Sequence, residues 1–184
     1  MKRRHVFAVL VAVLLLGGVW QAGAGVRLDF DIPVILGARL NVSDLTGTST
    51  VDLDLSNLHI PLPYLELSYQ FGDGWLRGGV GLRSYTVIIE FVGWPAGYLE
   101  LEPIDRLVLR AELGGFAFFF LGVANNLTVN DYTLKTLIPD VQVSYAIAPW
   151  FRVGGGVIGI APLGNFNNSG WLFYINGRFV LEFK

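Results

Sequence analysis

The 184-residue chain contains no cysteine, only two histidines and 15% charged residues. Without Cys there is no disulfide framework, no thiolate metal site, no thiol nucleophile and no residue for lipoprotein acylation. One histidine, His5, lies in the extreme N-terminal segment and leaves only His59 for the rest of the chain, too few for a transition-metal cluster. Lysine is nearly absent as well: beyond residue 24 it occurs only at Lys135 and Lys184. Long apolar runs are equally scarce. The only one lies at the start, although 53% of the residues are hydrophobic and 23 are glycine. A chain this apolar fits neither a disordered segment nor a nucleic-acid binder.

Residues 1–24 read as a cleaved signal peptide. Met1-Lys2-Arg3-Arg4 is a basic start, Val6 to Leu16 an apolar stretch, and Ala22-Gly23-Ala24 a small-x-small cleavage pattern. Three of the 13 Lys and Arg residues fall inside it, leaving ten against 15 Asp and Glu and a net charge of −5 for residues 25–184. That balance excludes DNA, RNA and heparin as expected partners. Phe116 to Val123 is apolar but far short of the roughly 20 residues a membrane helix needs, so a helical membrane protein is excluded on length.

What is present is alternation. Trp171, Phe173, Ile175, Gly177, Phe179, Leu181 and Phe183 oppose Leu172, Tyr174, Asn176, Arg178, Val180 and Glu182. The same period of two runs through Val26 to Ile32, Leu65 to Phe71, Leu107 to Leu113 and Val141 to Ile147, so each is a strand. Once the first charge of a strand names its polar face, Asp29, Asp31, Arg83, Glu102, Glu112 and Glu182 all fall on that face. Turns at Gly72-Asp73-Gly74, Pro103-Ile104-Asp105 and Ala148-Pro149 alternate with longer connections at 43–50, 91–97, 125–131 and 162–170. Eight strands result: 26–41, 58–71, 75–90, 98–102, 106–121, 132–147, 150–161 and 170–183, with Val51 to Leu55 either extending the second strand or forming a small hairpin of its own. An echo links Pro63 to Phe71, followed by Trp75-Leu76-Arg77, with Pro139 to Ile147, followed by Trp150-Phe151-Arg152; it marks two equivalent hairpins.

Alternation fits either a soluble lipocalin-like carrier with an apolar interior or a membrane barrel with a polar one. Large aromatics near strand ends (Tyr69, Phe71, Tyr145, Phe151, Trp171 and Phe183) favour the membrane, as an interfacial girdle does. The polar face carries Arg and Glu rather than Lys, and Gly79, Gly81, Gly114, Gly154 and Gly156 on it make room for arginine side chains. The apolar faces carry no charge. The expectation is therefore an all-β protein, an eight-stranded antiparallel up-and-down transmembrane β-barrel over residues 25–184. Its lumen would be filled by a polar network of Glu66, Arg77, Arg110, Glu112, Arg152, Arg178 and Glu182, in which the four arginines pair with the three glutamates. A narrow ion path through the same residues is the alternative for the lumen.

The last strand, Asn176-Gly177-Arg178-Phe179-Val180-Leu181-Glu182-Phe183, resembles the closing strand of bacterial outer-membrane β-barrel proteins, and the architecture is similar to the small OmpA/OmpX-like barrels. The resemblance implies that Gly177, Phe179, Leu181 and Phe183 form the signal read by the barrel-assembly machinery, here with the aromatic penultimate. It also implies a monomer among outer-membrane lipids, in the bacterial outer membrane, without cofactor or catalysis, with any partner bound by the outer loops. Lipid-modifying barrel enzymes need a His near a Ser and an acid; His59 follows Ser56 and Asp54, but it lacks the His-x-Ser spacing of the deacylases. Asp44, Asp52, Asp54 and Asp131 lie in or near the long connections without EF-hand spacing and read as a solvated rim. The sequons at Asn41, Asn126 and Asn167 carry no assigned role.

Overall fold

The computed structural model describes residues 24–43, 50–54, 59, 61–87, 90–122, 128–129, 136–163 and 169–183. Residues 1–23, which hold nearly all of the expected signal peptide, lie outside this set. The strands are β1 (Gly25–Ser43), β2 (Thr50–Asp54), β3 (Tyr64–Phe71), β4 (Leu76–Val87), β5 (Glu90–Ile104), β6 (Leu107–Gly115), β7 (Phe119–Gly122), β8 (Thr128–Val129), β9 (Thr136–Ala148), β10 (Phe151–Pro162) and β11 (Gly170–Phe183).

Eight of them form the staves of a closed antiparallel barrel, in the order β4-β3-β1-β11-β10-β9-β6-β5, with β5 returning to β4. Closure removes the sheet edge, so every stave has a partner on both sides. The first and last strands meet along thirteen register pairs from Val26↔Phe183 to Arg39↔Trp171. β2 extends β1 as a short hairpin, and β7 and β8 extend the wall next to β5. The two echoed hairpins, β3–β4 and β9–β10, stand on opposite sides of the barrel, four staves apart.

Tight turns close one end. Gly72 and Gly74 adopt left-handed φ values of 81° and 67°, which glycine alone takes without steric cost. Backbone bonds then tie each turn to the next stave: Glu102 N–H donates to Trp75 O (2.7 Å), Ala146 N–H to Arg106 O (2.8 Å) and Val180 N–H to Trp150 O (2.9 Å).

The fourth strand departs from the expectation. The segment 91–97, expected as a long connection because of Gly93, Pro95 and Gly97, is strand: β5 has 15 residues and pairs with β4 from Glu90 to Leu101. On its other side β5 changes partner, from β6 (last pair Ala96↔Gly114) to β7 (first pair Gly93↔Phe119). Pro95 falls in that gap, where a missing N–H costs no ladder bond. The gap exists because the expected continuous strand 106–121 breaks at Gly115 and Phe116, whose φ values are 109° and 66°. The second strand also starts later than expected, at Tyr64. His59 and Pro61 precede it, and Pro61 makes only an isolated bridge to Val34.

The wall is inside-out relative to a water-soluble barrel. Leu67, Val80, Phe173 and Ile175 are more than half exposed on the outer face, whereas Arg27, Asp29, Asp31 and Arg83 inside are fully buried. Inside, the lumen has two layers. Charged and polar side chains fill the turn-end and central parts. Toward the long-loop end the inward residues are apolar: Ile35, Ala38, Trp94, Ala96, Ile138 and Ile158 cluster with Tyr174, flanked by Tyr85 and Phe118.

Candidate functional site: the charged lumen

Each charged side chain of the lumen is placed by strand parity, because residues two apart on a strand share a face. Five arginines (Arg27, Arg83, Arg110, Arg152 and Arg178) and six carboxylates (Asp29, Asp31, Glu66, Glu100, Glu112 and Asp140) are buried there. Single buried charges are prohibitive, so the near balance matters more than any one pair.

Three knots carry the network. At its turn-end side, Arg27 donates through both terminal nitrogens to Glu100 (2.8 and 2.8 Å), in the fork geometry that makes Arg–carboxylate pairs strong, and through Nε to Asp29 (2.9 Å). In the centre, Arg110 donates to Glu66 (2.5 Å), Glu112 (2.9 Å), Asp29 (3.2 Å) and Glu100 (3.2 Å). Arg83 reaches Asp140 (2.8 Å) and also bonds Glu112. Nearest the apolar layer, Arg178 donates to Asp31 (2.8 Å) and to the Tyr64 hydroxyl, Tyr64 and Asn176 donate to Asp31, and Tyr174 donates to Asp140 (2.7 Å).

Tyrosine rings act as shelves for the guanidinium groups. The Arg110 guanidinium lies 3.7 Å from the Tyr98 ring centroid and that of Arg83 4.3 Å from the Tyr64 ring. Here the expected use of the inward glycines needs correction. A Cβ on Gly79 would meet the Tyr98 ring at 2.5 Å, one on Gly114 the Trp94 indole at 2.5 Å, and one on Gly156 both the Val141 backbone oxygen at 2.5 Å and the Tyr174 hydroxyl at 2.6 Å. Gly81 and Gly154 approach neighbouring backbone instead. Aromatic rings or neighbouring backbone, rather than arginines, take the space, and the Tyr98 ring over Gly79 in turn carries Arg110.

Of the seven residues expected in the lumen, Glu66, Arg110, Glu112, Arg152 and Arg178 are buried in it. Arg77 and Glu182 sit at the turn-end rim, with side chains 17% and 29% exposed. Within the expected set, Arg110 meets Glu66 and Glu112, and Arg77 lies 3.8 Å from Glu182; the other contacts reach carboxylates outside it. Arg178 binds Asp31, Arg152 binds Glu100 (3.1 Å), and Arg77 binds Glu102 (3.0 Å) more closely than Glu182 (3.8 Å). Arg27, Asp29, Asp31, Arg83 and Glu100 were legible by parity yet missing from the expected site. Asp140 shares the parity of Gln142 and Ser144 within the expected strand 132–147 and is likewise absent from the expected site.

Gly177, Phe179 and Leu181 face outward on β11 opposite Ile32, Phe30 and Leu28, and Phe183 ends the strand opposite Val26. His59 is exposed, while Ser56, Asp44 and Asp131 lie outside the described residues, as do residues 44–49, 125–127, 130–131 and 164–168 of the expected long connections 43–50, 125–131 and 162–170. Among the described residues no three His, Cys, Asp or Glu side chains form a metal-binding group.

No protein-family model matches the sequence, and no curated protein matches it. Among solved structures the chain is similar to Neisserial surface protein A, with 14% identity over 85% of this chain and 96% of that one and a TM-score of 0.46. It is also similar to Ail, the attachment invasion locus protein of Yersinia pestis, with 9% identity over 86% and 97% of the two chains and a TM-score of 0.39. A complex of Ail with the heparin analogue sucrose octasulfate gives 10% identity over 86% and 97%, with a TM-score of 0.36. The barrel itself rests on the strand order and register given above.

Proposed function

We propose that this chain is a non-enzymatic protein of the bacterial outer membrane, a monomeric β-barrel exposed at the cell surface whose lumen is a structural plug and whose specificity lies in its outer loops. The observation that carries the reading is the partition of side chains across one continuous wall. A lipocalin-like carrier turns its apolar face inward and its charges to water; this barrel does the reverse. Along β11 the outward residues run from Trp171 to Phe183 without a charge. At ~3.3 Å per residue and a tilt of about 40°, that is an apolar band ~30 Å tall, close to a bilayer core. A charge on such a face costs about 2–4 kcal/mol for Arg or Lys at the midplane, which explains the inward placement of the arginines.

The lumen supports a plug rather than a pore. Eight staves leave an interior just wide enough for side chains, and here cross-linked ion pairs and an apolar layer lie in series along it. Insertion would use the assembly machinery through Gly177, Phe179, Leu181 and Phe183 on the closing strand. The test is fractionation of expressing cells followed by electrophoresis with and without prior heating. Recovery in the outer membrane with a heat-dependent mobility shift is expected. A mature chain that is monomeric in detergent-free buffer would refute the reading.

A further inference from the structure

The turn-end mouth of the barrel contains a cavity of about 470 Å³ that the plug does not fill. Its walls combine Arg77, Arg152, Glu102 and Glu182 with Val108, Ala146, Val180 and the rim aromatics Trp150 and Phe183. The charges are not equally satisfied. Arg77 is engaged by Glu102 at 3.0 Å, with Glu182 and Glu100 behind it at 3.8 and 3.9 Å. Glu102 also accepts the Arg106 backbone N–H at 3.1 Å.

Arg152 is different. It is 4% exposed, and its one carboxylate among the described residues, Glu100 at 3.1 Å, is shared with Arg27 at 2.8 Å, Arg110 at 3.2 Å and Arg77 at 3.9 Å. Of these four guanidinium groups, Arg27 also meets Asp29, Arg77 also meets Glu102 and Glu182, and Arg110 also meets Asp29, Glu66 and Glu112, whereas Arg152 has no second carboxylate among the described residues. The Nε–H of Arg152 is buried and has no hydrogen-bond partner. Directly across the strand pair stands another arginine, Arg178, so no relief comes from that side.

We propose that this mouth is a binding site for a small carboxylate carried on a compact apolar body, entering from the turn end. The carboxylate supplies the acceptor that Arg152 lacks, in the planar geometry a guanidinium matches. The apolar body lies against Val108, Ala146 and Val180, which inorganic anions cannot use.

The experiment titrates the folded barrel in detergent with benzoate and follows Trp fluorescence and amide NMR shifts at the turn end. Saturable binding is expected, with shifts at Ala146, Arg152 and Val180. Arg152→Gln should weaken it at least tenfold, while Arg152→Lys retains part of it. Ala146→Leu, which fills the cavity without touching a charge, should also abolish binding, and the heat-dependent mobility shift verifies that each variant folds. Benzamide, neutral and of the same shape, and inorganic phosphate should each bind at least tenfold more weakly. Absence of saturable benzoate binding overturns the proposal, as does binding indifferent to Ala146→Leu. Phosphate or benzamide binding equal to benzoate overturns it too. None of these outcomes bears on whether the barrel spans the outer membrane.

Discussion

Arg110 and Glu66 meet at 2.5 Å in the middle of the barrel, although 44 residues separate them and their strands, β6 and β3, are not neighbours in the wall. The contact crosses the lumen and holds opposite walls at a fixed spacing. Because Arg110 also serves Glu112, Asp29 and Glu100, its removal strands several buried carboxylates at once. Arg110→Met is expected to destabilise the barrel by about 3–5 kcal/mol, the cost of breaking a buried ion network from one side. Glu66→Gln, which keeps an acceptor, should cost less. Equilibrium urea unfolding in lipid vesicles measures both, and a near-neutral Arg110→Met would mean that water already screens the lumen.

A second test concerns the glycine and ring contacts. Gly79 and Tyr98 are register partners, and a methyl group on Gly79 would overlap the ring. Gly79→Ala should cost about 1–3 kcal/mol through overpacking. In a Tyr98→Ala background the same substitution should be close to neutral, since the clashing ring is gone. A double-mutant cycle by unfolding measures the difference; equal costs in both backgrounds would show that Tyr98 does not occupy that space.

The sequence made the wall legible where the two faces of a strand differ chemically. Along β3, Leu65, Leu67 and Tyr69 alternate with Glu66, Ser68 and Gln70, and both strand and facing follow. Toward the long-loop end the contrast vanishes, because inward residues such as Ile35, Trp94, Ile138 and Ile158 are as apolar as their outward neighbours. Expected and observed strand limits differ there: β5 begins at Glu90 rather than at residue 98, and the expected strand 106–121 divides into β6 and β7. Gly93, Pro95 and Gly97 looked like a loop because turn chemistry and a partner change in a barrel wall use the same residues. The charged partners were out of reach for another reason. Arg27 and Glu100 lie 73 residues apart, and which carboxylate an arginine meets depends on stagger around the barrel.

Depth along the wall gives a direct test of the membrane. On β11, Ile175 is near the middle of the outward face and Trp171 at its edge. Ile175→Arg should cost about 2–4 kcal/mol and Trp171→Arg about 0–1 kcal/mol in lipid. In a water-exposed wall both would be small. Unfolding of the two variants in vesicles compares them, and equal costs would place the apolar band somewhere other than a bilayer.

Trp94 provides the test of the filled lumen. Its indole is 6% exposed, stacks on Tyr85 at 5.3 Å and contacts Phe118 at 5.4 Å, all on the inner face of the wall. In a water-filled pore an inward tryptophan would face solvent, and its truncation would cost little. Within a packed layer, Trp94→Ala should cost about 3–5 kcal/mol, because a large ring is lost and the surroundings cannot fully collapse. The same layer predicts that proteoliposomes carrying the wild-type barrel swell in small sugars no faster than empty vesicles. Trp94→Ala within experimental error of wild type in stability, together with rapid swelling, would show that the layer is open and that the lumen conducts.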